Sequence, residues 1–171
     1  MNTVTLGIYK THAEAELAIK QLIALGIPQD DISYVYSDKK GEITDGDVGD
    51  TMAQGAVDGG AVGAVIGGIA GLVVANGILP GLGLLFVAGP LAAALGLTGV
   101  AATTVAGAAT GAAAGGLIGA LTNMGVADND ATKYQSYIEQ GEILVAVKTD
   151  NLNAREVLEK TNAREIQQYN H

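Results

Sequence analysis

The sequence predicts an α+β protein: a ferredoxin-like split β-α-β sandwich head into which a glycine-zipper α-helical hairpin is inserted. Every Asp, Glu, Lys, Arg and His lies outside residues 59–127, a stretch of 69 residues. Each charged flank has the pattern strand, helix, strand, and two such halves make one four-stranded antiparallel sheet with helices on one face. The predicted domains are 1–50 and 127–171 for the two halves of the head and 51–126 for the hairpin.

The first flank has the local signals of a β-α-β unit. VTLGIY at 4–9 alternates apolar residues, as a half-buried strand does. A capping box opens the next helix, with Thr11 as the N-cap and Glu14 three residues later. Gly26 ends that helix. ISYVYS at 32–37 is rich in aromatic and β-branched residues and predicts the second strand.

The second flank repeats the pattern after one additional helix. DNDATKYQSYIEQG at 128–141 predicts a helix that begins near Asp128 or Asp130 and stops at Gly141. ILVAVKT at 143–149 is a continuous apolar run, which is typical of a central strand. Asp150 is expected to cap a helix that carries Ala154, Val157 and Leu158. REIQQYN then predicts a closing strand.

The uncharged segment is interpreted as helix A at 52–76, a tip at 77–98 that holds a short helix, and helix B at 99–124. Both long helices carry glycine at every fourth position, which places these residues on one face. Small residues on one face let another backbone approach closely, so we expect the repeats to form helix-packing and oligomerisation surfaces. The repeats comprise Gly55, Gly59, Gly63, Gly67 and Gly71 in helix A, and Gly107, Gly111, Gly115 and Gly119 in helix B.

A second stripe of small residues lies one position further along each helix. In helix B it contains Ala108, Ala112, Gly116 and Ala120. In a hairpin each helix has one neighbouring helix. A helix with two faces lined by small residues can pack closely against two neighbouring helices. The second neighbour is most simply another copy of the chain, so the sequence predicts a homo-oligomer.

The tip is the most apolar part of the chain and is expected to insert into lipid or to form a seam in an assembly. Each long helix would span about 37 Å, enough to cross a hydrocarbon core of about 30 Å. The expected partners are therefore the protein itself and lipid, at the cytoplasmic face of a membrane. The alternative is a cytoplasmic assembly whose hairpins bury one another. The tip residues in question are Leu79, Leu82, Leu84, Leu85, Phe86 and Val87.

Composition argues against several classes of function. The net charge of −9 disfavours a nucleic-acid partner, since phosphate binding needs clustered Lys and Arg. DGDVGD at 45–50 only partly resembles a calcium loop and is interpreted as an acidic linker. We therefore predict a non-enzymatic protein without catalytic residues, cofactor or metal site. A small-ligand-binding, regulatory head on the same scaffold is a further alternative.

The order of these parts resembles the bacterial general stress protein family that includes the YflT-like heat-induced and low-temperature-induced proteins. The most specific part is 124–148, where a Met-Gly-Val turn, an acidic cap, a tyrosine-bearing helix and GEILVAV follow one another. The resemblance implies a stress-related protein, often membrane-associated, without an established catalytic activity. It supplies no catalytic residues.

Overall fold

The computed structural model describes residues 3–37, 74–79, 83–95 and 116–170. Within these ranges the chain forms six strands and five α-helices. The strands are β1 (Thr3–Tyr9), β2 (Ile32–Ser37), β3 (Val74–Leu79), β4 (Gly83–Ala88), β5 (Ile143–Lys148) and β6 (Arg164–Asn170). The helices are α1 (His12–Ala24), α2 (Pro90–Ala94), α3 (Gly116–Asn123), α4 (Asp128–Glu139) and α5 (Asn153–Lys160). A short 3-10 turn, Gln29–Asp31, precedes β2.

All six strands belong to one sheet with the order β3-β4-β2-β5-β1-β6. Every neighbouring pair is antiparallel. β1 and β5 occupy central positions, whereas β3 and β6 are the edges. This mixture of helices with an antiparallel sheet confirms the predicted α+β class.

Helices cover both faces of the sheet. Because successive strand residues point to opposite faces, Val145 and Val147 meet α1 and α5, whereas Leu144 and Ala146 meet α2, α3 and α4. The prediction of helices on one face is therefore wrong. The second layer comes from helices of the uncharged segment together with α4, and it explains why β1 and β2 are buried on both sides.

Helix α1 begins and ends where the sequence predicts. The Thr11 hydroxyl accepts a hydrogen bond from the Glu14 N–H at 3.3 Å and donates one to the Glu14 carboxylate at 3.0 Å. After α1, Gly26 takes φ +83°, and Ile27 N–H donates to the Leu22 carbonyl at 3.3 Å. This contact closes the C-terminal turn of the helix.

The predicted cap of the helix in the second flank is wrong in detail. Asp150 accepts a hydrogen bond from the Thr3 N–H at 3.3 Å, across the sheet end. The Asn151 side chain instead accepts the Asn153 N–H at 3.0 Å, at the start of α5. The helix itself is confirmed, with Ala154, Val157 and Leu158 buried.

The middle of the uncharged segment differs most from the prediction. Residues 74–76, assigned to helix A, begin strand β3, and β3 and β4 form a β-hairpin where an apolar tip was expected. β4 pairs with β2, so this hairpin extends the sheet of the head. The short helix expected in the tip corresponds to α2. The last part of helix B is helical as α3.

Candidate interaction site

Helix α3 carries the one residue of the glycine repeats that the structure describes. Leu117 and Leu121 are buried against the sheet, and Gly119 follows Leu117 by two residues. At about 100° per residue, Gly119 lies about 200° around the helix from Leu117. It is half-buried and lies on the face opposite the one that packs on the sheet. The other repeat glycines, Gly55, Gly59, Gly63, Gly67, Gly71, Gly107, Gly111 and Gly115, lie outside the described residues.

The neighbouring stripe of small residues points inward. Ala120 is 2% exposed and belongs to the same core cluster as Leu117 and Leu121. At this helix, the two stripes therefore differ in orientation: the Ala120 stripe faces the protein's own core, and the Gly119 stripe faces away from it. Gly125, at φ +89°, ends the turn after α3, and Val126 N–H donates to the Leu121 carbonyl at 3.1 Å.

The predicted tip residues occupy the β3–β4 hairpin. Leu85 and Val87 are fully buried and pack in one cluster with Leu91 of α2 and Leu117 of α3. Leu79 lies at the end of β3, and Leu84 and Phe86 lie in β4. Leu82 lies outside the described residues. The buried pair does not form an exposed apolar tip, because it fills the space between the sheet and two helices.

Sequence reasoning missed the partner of His12. The Nδ1 atom of His12 lies 2.8 Å from the Tyr34 hydroxyl, and the His12 ring meets Tyr36 edge-on, with centroids 4.4 Å apart. Burial raises the pKa of Tyr34 well above its ordinary value, and the nearby Tyr36 raises it further. The phenol therefore remains neutral at physiological pH. Only the fold brings together residues 22 positions apart, so no local motif signals the pair.

A second pair of phenols links α4 to β6. The Tyr134 hydroxyl donates to the Glu165 carbonyl at 2.7 Å, and the Tyr169 hydroxyl donates to the Asp130 carboxylate at 2.7 Å. Burial is the largest cause that raises the pKa of Tyr134, followed by the nearby Tyr169. Burial and the bond to Asp130 also raise the pKa of Tyr169. Both phenols keep their protons and serve as donors that hold the edge strand against the helix.

The edge strand β6 is the most exposed of the strands whose burial the structure describes in full. Five of its seven residues are exposed, and the other two, Ile166 and Tyr169, are half-buried. Its two charged side chains have partners in the same chain: Arg164 pairs with Glu142, and Glu165 pairs with Lys133. Tyr9, on the neighbouring strand, shares a buried hydrogen bond of 2.9 Å with Thr161, before β6. Packing and hydrogen bonds thus hold β6 on one side, and no other strand of the described residues pairs with its outer side.

Neither a metal centre nor a membrane span is seen in the described parts of the chain. No group of three or more His, Asp or Glu residues there could hold a metal ion. Among the helices of those same residues, none has the length and hydropathy needed to cross a bilayer.

Comparison with known proteins adds nothing to this geometry. No family model, curated protein or solved structure matches this chain. The resemblance to the stress protein family therefore stays a prediction. Two features of the described residues bear on function: the orientation of the small residues of α3, and the side of β6 that pairs with no described strand.

Proposed function

We propose that this chain is a non-enzymatic, self-associating protein whose glycine repeats pack between copies of a folded α+β head. The orientation of Gly119 carries the proposal. Gly119 belongs to a repeat of four glycines in 107–119, and it lies on the face of α3 opposite Leu117. The protein's own sheet therefore does not use that face of the helix.

The energetic cost of the glycines supports the need for a partner. A glycine in a helix costs about 0.5–1 kcal/mol relative to alanine. When glycines repeat along one face of a helix, another backbone can pack closely against that face. The dispersion contacts and weak Cα–H···O bonds formed there offset the cost. Because the core of the head lies on the other side of α3, a second copy is the simplest source of that backbone.

The head gives the assembly its spacing. We propose that β2, β5, β1 and β6 form a ferredoxin-like unit made from the two charged flanks. Their order in the sheet and their antiparallel pairing support this assignment. α1 and α5 cover one face of these strands. Such a unit holds its copies at a fixed distance and needs no catalytic group.

A lipid partner, at the cytoplasmic face of a bacterial membrane, is the second form of the proposal. It is favoured by the 69 residues, 59–127, that lack an ionisable side chain. The burial of Leu85 and Val87 removes two apolar residues of the tip from the surface that would meet lipid. Any insertion therefore relies on the glycine-rich parts of the segment. A stress-related role follows from the family resemblance alone.

The decisive experiment compares leucine substitutions on and off the glycine stripe. Gly119→Leu, Gly111→Leu and Gly63→Leu are expected to reduce the mass of the assembly in sedimentation, because leucine keeps the partner backbone away. The control is Asn129→Leu, which adds the same side chain at an exposed position of α4. Far-ultraviolet circular dichroism reports whether each head remains folded. Unchanged mass in all three glycine variants would contradict the proposal.

Flotation with vesicles of phosphatidylethanolamine and phosphatidylglycerol separates the two forms. Assembly without flotation supports packing between proteins alone. Flotation that carbonate cannot reverse without detergent supports insertion. Gly119→Leu tests whether the same stripe is needed in each case.

A further inference from the structure

We propose that β6 pairs antiparallel with β6 of a second copy, so that two heads share one continuous sheet. The inference deepens the proposed function and rests on it for the nearness of a second copy. Among the described strands, β6 pairs with β1 alone. The other side of β6 therefore presents a row of backbone donors and acceptors, which favours another strand.

The C-terminal part of β6 has none of the features that commonly protect an edge strand. Protected edges carry proline, charged side chains or a bulge, and Gln167 to Asn170 have none of these. Its irregular features lie near its N-terminal end, where Glu165 has φ +51° and the register with β1 shifts between Leu6 and Ile8. From Gln167 to Asn170 the pairing with β1 is regular, so the outer side of this part is a regular template.

The charge around β6 favours a second copy of this chain in particular. The net charge of −9 makes two copies repel over most of their surfaces. Next to β6, however, the charges are compensated within the chain, because Arg164 pairs with Glu142 and Lys133 pairs with Glu165. The Asp130 carboxylate accepts a hydrogen bond from the Tyr169 hydroxyl and keeps its negative charge. Two copies that meet at the strand itself therefore bring together charges that are paired within each chain, Arg164 with Glu142 and Glu165 with Lys133.

The β6 strands of two copies can also pair about a two-fold axis. With the axis at Gln168, inside the regular part of β6, Gln167 faces Tyr169 of the second copy and Ile166 faces Asn170. No like charges stand directly opposite each other, which avoids the destabilisation such pairs cause. The amides at 167, 168 and 170 supply both donors and acceptors. This register places the two Gln168 residues directly opposite each other.

A contact through one strand pair is weak by itself. Packing of the glycine repeats holds the two copies close enough for this contact to form. Linked contacts act at an effective concentration set by the connection between them, commonly in the millimolar range. Copies held together by the glycine stripes thus bring their β6 strands together at such concentrations.

The chain contains no cysteine, so one substitution makes a specific crosslinking probe. Directly opposite residues of antiparallel strands have Cα atoms about 4.5–5.5 Å apart, within the disulfide range of about 4.4–6.8 Å. Under mild oxidation at low micromolar protein, full-length Gln168→Cys is expected to form a disulfide-linked dimer. The rate should exceed that of Asn129→Cys, an exposed control in α4, by about tenfold or more. Circular dichroism verifies that both variants are folded.

The outcomes separate this proposal from the previous one. Equal crosslinking rates for the two variants would overturn β6 pairing, even if glycine substitutions still reduce the assembly. Fast crosslinking of Gln168→Cys, together with a mass that the glycine substitutions leave unchanged, would support the β6 contact and overturn the role of the glycine repeats. Slower crosslinking of Gln168→Cys when Gly119→Leu is added would support both.

Discussion

Gly89 lies in the turn between β4 and α2, where its φ is +73°. A Cβ atom built there would lie 1.9 Å from the Ile32 carbonyl oxygen and 3.0 Å from the Ser33 Cα. Both neighbours are backbone atoms and cannot rotate away. Glycine is therefore required here for conformation and for space, and it lets α2 begin directly against β2. The Leu91 N–H then donates to the Ser33 hydroxyl at 3.2 Å.

Replacing Gly89 by alanine is expected to lower the free energy of unfolding by about 3 kcal/mol or more, because strain and overlap with backbone add together. The matched control is Gly26→Ala. Gly26 has a similar φ of +83°, and nothing lies within 4 Å of the added carbon. Gly26→Ala should lower the free energy of unfolding by only about 1–2 kcal/mol, because alanine is strained in the left-handed conformation. Urea denaturation measures both, and equal losses would contradict the close approach at Gly89.

His12 and Tyr34 illustrate a side-chain contact that local patterns do not reveal. Thr11 and Glu14 were recognisable as a cap because three residues separate them. The His12 partner, in contrast, lies on β2, beyond the whole of α1. Its position depends on how helix and sheet pack. No property of the residues beside His12 predicts it.

Strand β4 connects the uncharged segment to the head. It pairs with β2 through Tyr34, Val35, Tyr36 and Ser37, and its residue Leu85 is fully buried. A strand in this position is part of the cooperative core. An apolar tip projecting into lipid would instead leave the stability of the head almost independent of its side chains.

Leu85→Ala is therefore expected to lower the free energy of unfolding by about 2–5 kcal/mol, as buried leucine truncations do. Leu152→Ala removes the same atoms from a side chain that is 86% exposed. It should change stability by no more than about 0.5 kcal/mol. Urea denaturation followed by circular dichroism gives both values. Similar small effects at the two sites would mean that β4 is not part of the folded head.

Tyrosines are buried beneath both layers of helices, and the fold raises the pKa of their hydroxyl groups. Burial raises the pKa of Tyr9, Tyr34 and Tyr134 above their ordinary value of 10.0. In the unfolded chain these phenols lose their protons as the pH rises through about 10. The folded state keeps them, so above that pH the unfolded state binds fewer protons. The free energy of unfolding must then decrease as the pH increases.

We therefore expect the urea concentration at the midpoint of unfolding to fall as the pH rises above about 9.5. Between pH 8 and about 9.5 these phenols should leave the midpoint nearly constant. Absorbance of tyrosinate should appear together with unfolding. Tyr34→Phe removes one of the phenols and should make the alkaline decrease less steep. An unchanged slope in this variant would show that Tyr34 ionises equally easily in both states.

The two charged flanks were predictable because their signals are local. The alternation of β1, the cap at Thr11, the glycine stop at Gly26 and the helix from Asp128 each depend on a few neighbouring residues. Such signals act through backbone conformation and nearby hydrogen bonds, which are present before the chain has packed. For the same reason the strands at 32–37 and 164–170 agree with the prediction.

The segment at 74–88 shows where local signals stop being sufficient. A short apolar run fits a buried strand as well as a buried helix, since periodicity cannot separate them. Pairing of β4 with β2 decides in favour of the strand, and this pairing joins Val35 to Val87, residues far apart in sequence. Local chemistry therefore determined the elements of the head and the four-residue spacing of the glycines. Long-range hydrogen bonding and burial decided that residues 74–79 and 83–88 join the sheet and that the Gly119 face of α3 points away from it.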